Sequence, residues 1–198
     1  THISCYGLTY EPGTSIKECV SNGSIKPISE EMSADMYKLA ISYLADKDFA
    51  QYEISNFSKP GFACKHNCAY WDNDPYTGLG PSAVSYSDGV RTENVHDVKE
   101  YIDKIGAGSK PILSSEKLSP KESAKETAAV KIRTMDGIGF GWFKDKTGFE
   151  LPDLEGKTLS RLIADGLIEY NKSGRAAEGV RLTQKGILFC DTVSVALL

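Results

Sequence analysis

Residues 52–71, YEISNFSKPGFACKHNCAYW, decide how the rest of the chain is interpreted. The stretch begins within a short strand-like segment, Phe49 to Ser55. From Asn56 to Asp74 it is irregular and rich in Pro, Gly, His, Asn and aromatic residues. Long irregular connections in compact domains are usually functional or disordered, and the adjacent Tyr70 and Trp71 argue against disorder. The sequence therefore predicts a functional loop around His66.

Upstream of this stretch, the pattern predicts a strand, a helix and a second strand. The first strand covers Ile3 to Thr9, and the helix runs from Ser29, a suitable N-cap, to Ala45. Strand Phe49–Ser55 follows. A strand-helix-strand unit of this length favours parallel pairing of the two strands.

Downstream, the chain continues as α/β material and then changes texture. Val95 to Ile105 has the spacing of an amphipathic helix, and Gly106 to Pro120 has the composition of a linker. Beyond it the pattern predicts helices, a two-stranded hairpin and a last helix capped by Thr183, which is the order of a winged-helix domain. The predicted helices cover Pro120–Met135, Phe140–Lys146 and Leu154–Asp165, and the hairpin pairs Leu167–Tyr170 with Gly179–Leu182.

The composition is that of an ordinary folded protein. The chain has 198 residues, of which 40% are hydrophobic and 25% charged, with a net charge of −4. No apolar run approaches the length of a membrane span, and residues 1–10 lack the features of an export signal. The five cysteines form an odd set without framework spacing, which favours thiols in a reducing cytoplasm.

The chain opens on Thr1, and His2 to Leu8 already alternate like a strand. Because natural chains rarely begin inside an element, we expect a segment to precede it. Without that segment, the first strand of this chain would have an unpaired edge, and such edges promote pairing with another strand. The sequence thus predicts self-association, with a homodimer as the simplest form.

Several motifs, in order, resemble the oxygen-independent coproporphyrinogen III oxidase family of radical S-adenosylmethionine (SAM) proteins. Residues 52–71 are similar to the "YE.S.F..PG....HN..YW" signature of the heme-chaperone (HemW-like) branch of that family. Residues 2–13 support the resemblance, as does Tyr76–Ala83, which is similar to the family's "Y.G.G..A" passage. In the C-terminal half the resemblance is one of layout, chiefly at Gly166-Leu167 and Leu182–Gly186.

The resemblance implies an α/β fold with two parts. The C-terminal portion of a partial TIM-type radical SAM barrel covers residues 1–110, and a small winged-helix-like α+β domain covers residues 111–198. The family holds a [4Fe-4S] cluster, which binds and cleaves SAM, on cysteines spaced C-x3-C-x2-C. Here Cys64 and Cys68 match only the first spacing, because Trp71 stands where the third ligand would fall. The cluster ligands are therefore expected upstream of this chain.

The resemblance also assigns candidate site residues, none of them catalytic. His66 matches the histidine proposed as heme ligand in the chaperone branch, and imidazole is a strong ligand for heme iron. A histidine that only orders its loop is the alternative. Leu8 and Val84 are candidates for the apolar sides of the SAM adenine pocket, near the C-terminal ends of barrel strands, with core packing as the alternative. Glu53 either bonds SAM or structures its loop.

Two further glycines receive a structural interpretation. Gly78 and Gly80 could let a backbone approach a ligand closely, but a lone G-x-G is a weak signal. We interpret both as turn glycines.

Two functions from different classes follow. The first is a SAM and heme protein of heme biosynthesis or trafficking, either an oxidase that decarboxylates coproporphyrinogen III or a chaperone that passes heme to accepting proteins. The motifs favour the chaperone. The second is a winged-helix regulator that binds nucleic acid, but no clustered positive face of the kind that binds phosphates is evident, so no nucleic acid is expected as a partner.

Overall fold

The computed structural model describes residues 1–173 and 176–198, which form a mixed α/β structure. The contacts divide it into two compact units, Thr1–Cys64 and Lys65–Leu198. The α/β class predicted from the sequence is confirmed. The division between residues 110 and 111 stays a prediction.

The first unit is a small sheet with two helices. Its elements, in chain order, are β1 (His2–Ser4), α1 (Ser15–Ser21), α2 (Glu30–Ala45), β2 (Ala50–Glu53) and β3 (Asn56–Ser58). The strand order is β1-β3-β2, and both neighbours of β3 run antiparallel to it.

The predicted parallel pairing of the two strands is therefore wrong. The segment expected as one strand, Phe49–Ser55, is the first arm of a hairpin, and β3 lies between β1 and β2 with His2 opposite Ser58. The predicted first strand, Ile3–Thr9, is also too long. Its partner β3 has only three residues, so pairing ends just after the Cys5 amide donates to the Ser55 carbonyl at 2.8 Å.

Helix α2 confirms the predicted helix and its cap. The Ser29 hydroxyl accepts a hydrogen bond from the Met32 amide at 3.2 Å, which satisfies one of the unpaired donors of the first turn. The apolar positions of this helix are mostly exposed. Met32, Met36, Leu39 and Tyr43 each expose 55–66% of their surface, so the apolar stripe of α2 does not face the core of this unit.

The second unit begins with a helix and a three-stranded antiparallel sheet. Its first elements are α3 (Lys65–Trp71), β4 (Val84–Ser87), β5 (Val90–Asn94), α4 (Val98–Gly106) and β6 (Ile112–Lys117). The stretch predicted as a linker, Gly106–Pro120, contains β6, whose Lys117 pairs with Val90 of β5. The linker was predicted from the Gly, Ser and Lys content of this stretch. Strand β6 was missed because it is exposed to solvent and has no buried side chain.

The rest of this unit confirms the predicted winged-helix order. It contains α5 (Pro120–Lys131), β7 (Ile138–Gly139), α6 (Phe140–Thr147), α7 (Leu151–Ala164), β8 (Ile168–Ser173), β9 (Ala176–Leu182), α8 (Gln184–Leu188) and α9 (Cys190–Ala196). The hairpin β8–β9 is completed by the short β7, which the sequence did not predict, in the order β7-β9-β8. Thr183 caps α8, as expected, by accepting from the Gly186 amide.

Most of the buried apolar side chains lie in these later elements. Among the fully buried ones are Ile132, Ile138, Phe143, Leu151, Val180, Val193 and Leu197. An ion pair ties the elements together, because the half-buried Lys125 of α5 lies 2.9 Å from the buried Glu155 carboxylate of α7 and also donates to the Leu198 carbonyl at 3.0 Å. These later elements therefore hold most of the apolar core of the second unit.

Candidate functional site

His66 lies on a helix and not in a long loop, which corrects the expectation from the sequence. Helix α3 has seven residues free of Pro and Gly, and it follows Pro60-Gly61 at a distance of only a few residues. It ends at Trp71, and Asn73, two residues further on, has a φ of +50°, the left-handed conformation common after helices. The Asp74 amide then donates back to the Ala69 carbonyl at 2.9 Å.

The His66 side chain is exposed and touches the tyrosine one turn further along α3. The His66 and Tyr70 ring centroids are 4.8 Å apart, and the rings meet edge to face at 89°. The row of rings continues from Tyr70 to Tyr76 at 4.5 Å and from Tyr76 to Tyr86 at 6.2 Å. An imidazole that could bind a metal therefore stands at the exposed end of an aromatic row.

A cavity of about 260 Å³ lies behind Tyr70. It is lined by Asn67, Tyr70, Trp71, Asn73, Tyr76, Arg91, Glu126 and Val130. Within the described residues, the buried Trp71 Nε1 and Glu126 Oε2 atoms have no hydrogen-bond partner. The cavity is smaller than the roughly 300–1,000 Å³ typical of pockets for drug-sized ligands.

An ion pair closes one wall of this cavity. The Arg91 guanidinium donates to the Glu126 Oε1 atom at 2.5 Å. Burial by itself lowers the pKa of Arg91, but the hydrogen bond and charge of Glu126, with a contribution from Tyr76, raise that pKa overall. The pair leaves the cavity without a surplus positive charge, which makes it a poor site for an anion.

Glu53, by contrast, has a structural role. Its side chain is 1% exposed, and its Oε1 atom accepts from the Ser55 amide at 3.2 Å and from the Asn56 side-chain amide. These bonds shape the β2–β3 hairpin. Of the two readings given from the sequence, the contacts support the one in which Glu53 structures its loop.

Leu8 and Val84 lie in different compact units. Leu8 follows β1 and is 70% exposed. Val84 is half-buried and is the first residue of β4, so it does not lie near the C-terminal end of that strand, where it was expected.

Gly78 packs against the Val84 backbone, where a side chain would collide with the Val84 carbonyl, and Gly80 has a φ of +102°. Both glycines serve the turn, as expected.

The five cysteines are thiols, and Cys64 and Cys68 flank the first turn of α3. Across residues 1–173 and 176–198, no group of three or more His, Cys, Asp or Glu side chains is placed to hold a metal ion. In the same residues no helix is both long and apolar enough to cross a membrane.

Comparison with known proteins identifies the family. Residues 118–189 match the family described as the HemN C-terminal domain. The chain is 34% identical over 197 residues to "Heme chaperone HemW" of Bacillus subtilis (strain 168), covering 100% of this chain and 51% of that protein. The Lactococcus lactis protein of the same name is 32% identical over 185 residues, covering 93% and 47%. Together these matches support a place for this chain in the HemN/HemW family of radical SAM proteins.

More distant members support the same assignment. The mouse protein "Radical S-adenosyl methionine domain-containing protein 1, mitochondrial" is 29% identical over 211 residues, covering all of this chain and 46% of that protein. The solved structure of Escherichia coli coproporphyrinogen III oxidase (HemN), described as a radical SAM enzyme, matches with a TM-score of 0.72 and 14% identity, covering 99% of this chain and 47% of that one. That likeness concerns the fold.

The HemN/HemW assignment also bears on the alternative function. The chain spans about half the length of the curated relatives it matches. Residues 118–189, in its winged-helix part, match the HemN C-terminal domain family, so a nucleic-acid-binding regulator is not favoured.

The sequence did not indicate which residues pack near α3. Arg91, Glu126 and Lys131 carry no motif, and they approach the HN..YW stretch only because α5 and β5 pack near it. Their separation of 20 or more residues from α3 leaves no local pattern that could have identified them.

Proposed function

We propose that this HemN/HemW family member is a heme chaperone that binds heme iron through the His66 imidazole and passes the heme to accepting proteins. The observation that carries the proposal is the exposed position of His66 on α3, edge to face with Tyr70. A neutral imidazole is an ordinary axial ligand of heme iron. The heme chaperones of Bacillus subtilis and Lactococcus lactis are among the most similar relatives.

The size of the neighbouring cavity supports binding at the surface. At about 260 Å³ and without surplus positive charge, the cavity does not suit a porphyrin that carries two propionates. The heme would instead lie on the exposed face of α3, over His66 and Tyr70. A heme held at the surface is accessible to a second protein, which transfer requires.

SAM and a [4Fe-4S] cluster belong to the family in general, and a contact of this chain with SAM is part of the proposal, whereas ligation of the cluster by this chain is not. The sequence contains no C-x3-C-x2-C set, and Trp71 occupies the third position after Cys64 and Cys68, so the residues of this chain do not fit the cluster. Leu8, with its exposed side chain, and Val84 remain the proposed apolar contacts of the SAM adenine.

We place this function in the cytoplasm, with heme and heme-accepting proteins as partners. Five thiols outside any disulfide are typical of a reducing compartment. A homodimer stays a prediction.

A heme titration followed by absorbance tests the role of His66. We expect His66→Ala to raise the Kd for heme at least about tenfold, equivalent to about 1.4 kcal/mol, and to change the Soret band, because the iron loses its nitrogen ligand. His96→Ala is the matched control, since His96 is also exposed but lies outside α3, against Ser82 and Glu93. It should leave both readouts unchanged.

Cys64→Ser separates the rival ligand from the histidine, because thiolate ligation gives a different spectrum. If Cys64→Ser abolishes binding while His66→Ala keeps the wild-type spectrum and affinity, the thiol is the ligand. If neither substitution matters, heme binds elsewhere and the proposal is wrong.

A further inference from the structure

The segment Trp71–Asp74 begins at the last residue of α3. Each of its residues contacts a side chain from the C-terminal part of the chain. We name it the exit segment. Its four contacts are Arg133 Cζ 5.4 Å from the Trp71 ring centroid, Lys131 Nζ 2.5 Å from Asp72 Oδ1, Asn73 Nδ2 donating to Thr127 Oγ1 at 3.0 Å, and Lys146 Nζ 2.5 Å from Asp74 Oδ1. Every residue of the exit segment thus has an anchor, and each anchor lies within residues 118–189.

The geometry of α5 explains why the anchors match the exit segment. Thr127 and Lys131 are four residues apart on α5 and therefore lie on the same face, one turn from each other. Lys131 is central, because its side chain is 17% exposed, its Nζ atom is 4.8 Å from the Trp142 ring centroid, and it reaches Asp72 at the same time. An ion pair that is partly buried is screened less by solvent than a fully exposed one, so this contact directs the segment more strongly than an exposed pair would.

The exit segment in turn determines the last turn of α3. The Asp72 amide donates to the Cys68 carbonyl at 2.8 Å, and the Asn73 amide donates to the Tyr70 carbonyl at 3.0 Å. A helix of seven residues is too short to be stable alone, so its order depends on tertiary contacts such as the four that anchor the exit segment. His66 lies one turn before Tyr70 and contacts its ring, so the direction of the imidazole follows the orientation of α3.

We propose that Lys131 is a positioning residue which, through Asp72, fixes α3 and thereby aims His66 at the heme iron. The domain that matches the HemN C-terminal family would then act as a clamp, meaning that it holds α3, and with it His66, in one orientation. This proposal rests on the proposed heme function. It is separate from it, however, because the ordering of α3 is measurable without heme.

The experiment compares Lys131→Met with Lys131→Arg and Lys144→Met in the full chain. Methionine keeps an unbranched apolar stem beside Trp142 but removes the charge, and arginine restores it. Lys144 is the control, because it pairs with Glu150 at 2.5 Å and is not one of the four anchors of the exit segment. Two quantities are measured, the hydrogen exchange of the amides of residues 68–74 without heme and the Kd for heme.

We expect Lys131→Met to speed exchange in residues 68–74 and to weaken heme binding about tenfold, the lower end of what loss of a ligand-orienting partner costs. Lys131→Arg should recover most of both, and Lys144→Met should change neither. Asp72→Asn removes the same ion pair from the more exposed side and should reproduce both effects, so a folding defect of Lys131→Met alone cannot decide the outcome.

Unchanged exchange and unchanged heme affinity in both Lys131→Met and Asp72→Asn would overturn the clamp. Faster exchange with unchanged affinity would overturn the link to His66. Failure of the heme function itself looks different, because His66→Ala would then have no effect on heme binding in the otherwise wild-type protein, while the exchange measurement would still report on the clamp.

Discussion

The N-terminal unit and the winged-helix part of the chain differ in how they use their apolar side chains. Among residues 1–64, all of which the structure describes, Phe57 is the one apolar side chain that is buried. The winged-helix part, by contrast, buries side chains from α5, α6, α7, α9 and its three strands. Apolar spacing alone therefore does not reveal where a core is, because α2 has the spacing and no buried residue.

The largest expected difference comes from removing one aromatic side chain in each region. Phe143 of α6 is completely buried, so Phe143→Ala should lower the free energy of unfolding by about 3–5 kcal/mol through lost transfer energy and the cavity left behind. Tyr43→Ala removes a side chain of α2 that is 60% exposed and should change the free energy of unfolding by no more than about 0.5 kcal/mol. Urea denaturation followed by circular dichroism measures both. Equal losses would mean that α2 is packed against a core after all.

The same contrast explains how much of the fold was predictable. Most winged-helix elements were predicted with errors of a few residues at their ends, because they bury apolar side chains, and Ser119 and Thr183 cap α5 and α8. The β1-β3-β2 pairing was not predicted, because no short-range pattern in the sequence indicates that β3 enters between two strands. Strand β6 has no buried side chain, so no alternation marked it.

For the candidate site, the sequence indicated the proposed heme ligand but not the residues that hold its helix in place. His66 was identified because the HN..YW stretch resembles a family motif. Its helix was missed, since seven residues are too few for a periodicity to show. The anchors of the exit segment were missed for a different reason, since Lys131 and Lys146 are ordinary surface-type residues whose role depends on tertiary packing.

A medium effect is expected at a glycine within the well-packed region. The motifs Gly166-Leu167 and Leu182–Gly186 meet in space, because a Cβ atom on Gly186 would lie 1.7 Å from the Leu167 carbonyl oxygen. Gly186→Ala should therefore displace α8 and cost about 1–3 kcal/mol. Gly156 of α7 is the matched control, since a Cβ atom there meets nothing within 4 Å.

Gly156→Ala should be neutral or stabilise by up to about 1 kcal/mol, because alanine restricts the unfolded chain and favours a helix. Thermal unfolding of the two variants measures the difference. A Gly186→Ala protein as stable as Gly156→Ala would mean that Leu167 and Gly186 are not in contact.

The smallest expected effect on stability comes from a substitution in the exposed apolar stripe of α2. There the comparison of the two regions predicts a change in the self-association of the chain instead. Met36 is 55% exposed, in one stripe with Met32, Leu39 and Tyr43, so Met36→Lys should change the free energy of unfolding by no more than about 0.5 kcal/mol. Exposed contiguous apolar surface promotes association, and a lysine at its centre opposes it. Light scattering over a range of protein concentrations should then show less self-association than in the wild type. Ser33→Lys adds the same charge to α2 away from the stripe and should leave association unchanged. Equal reduction by both variants would assign the effect to net charge, and no reduction by either would mean that the α2 stripe does not mediate contact between copies of the chain.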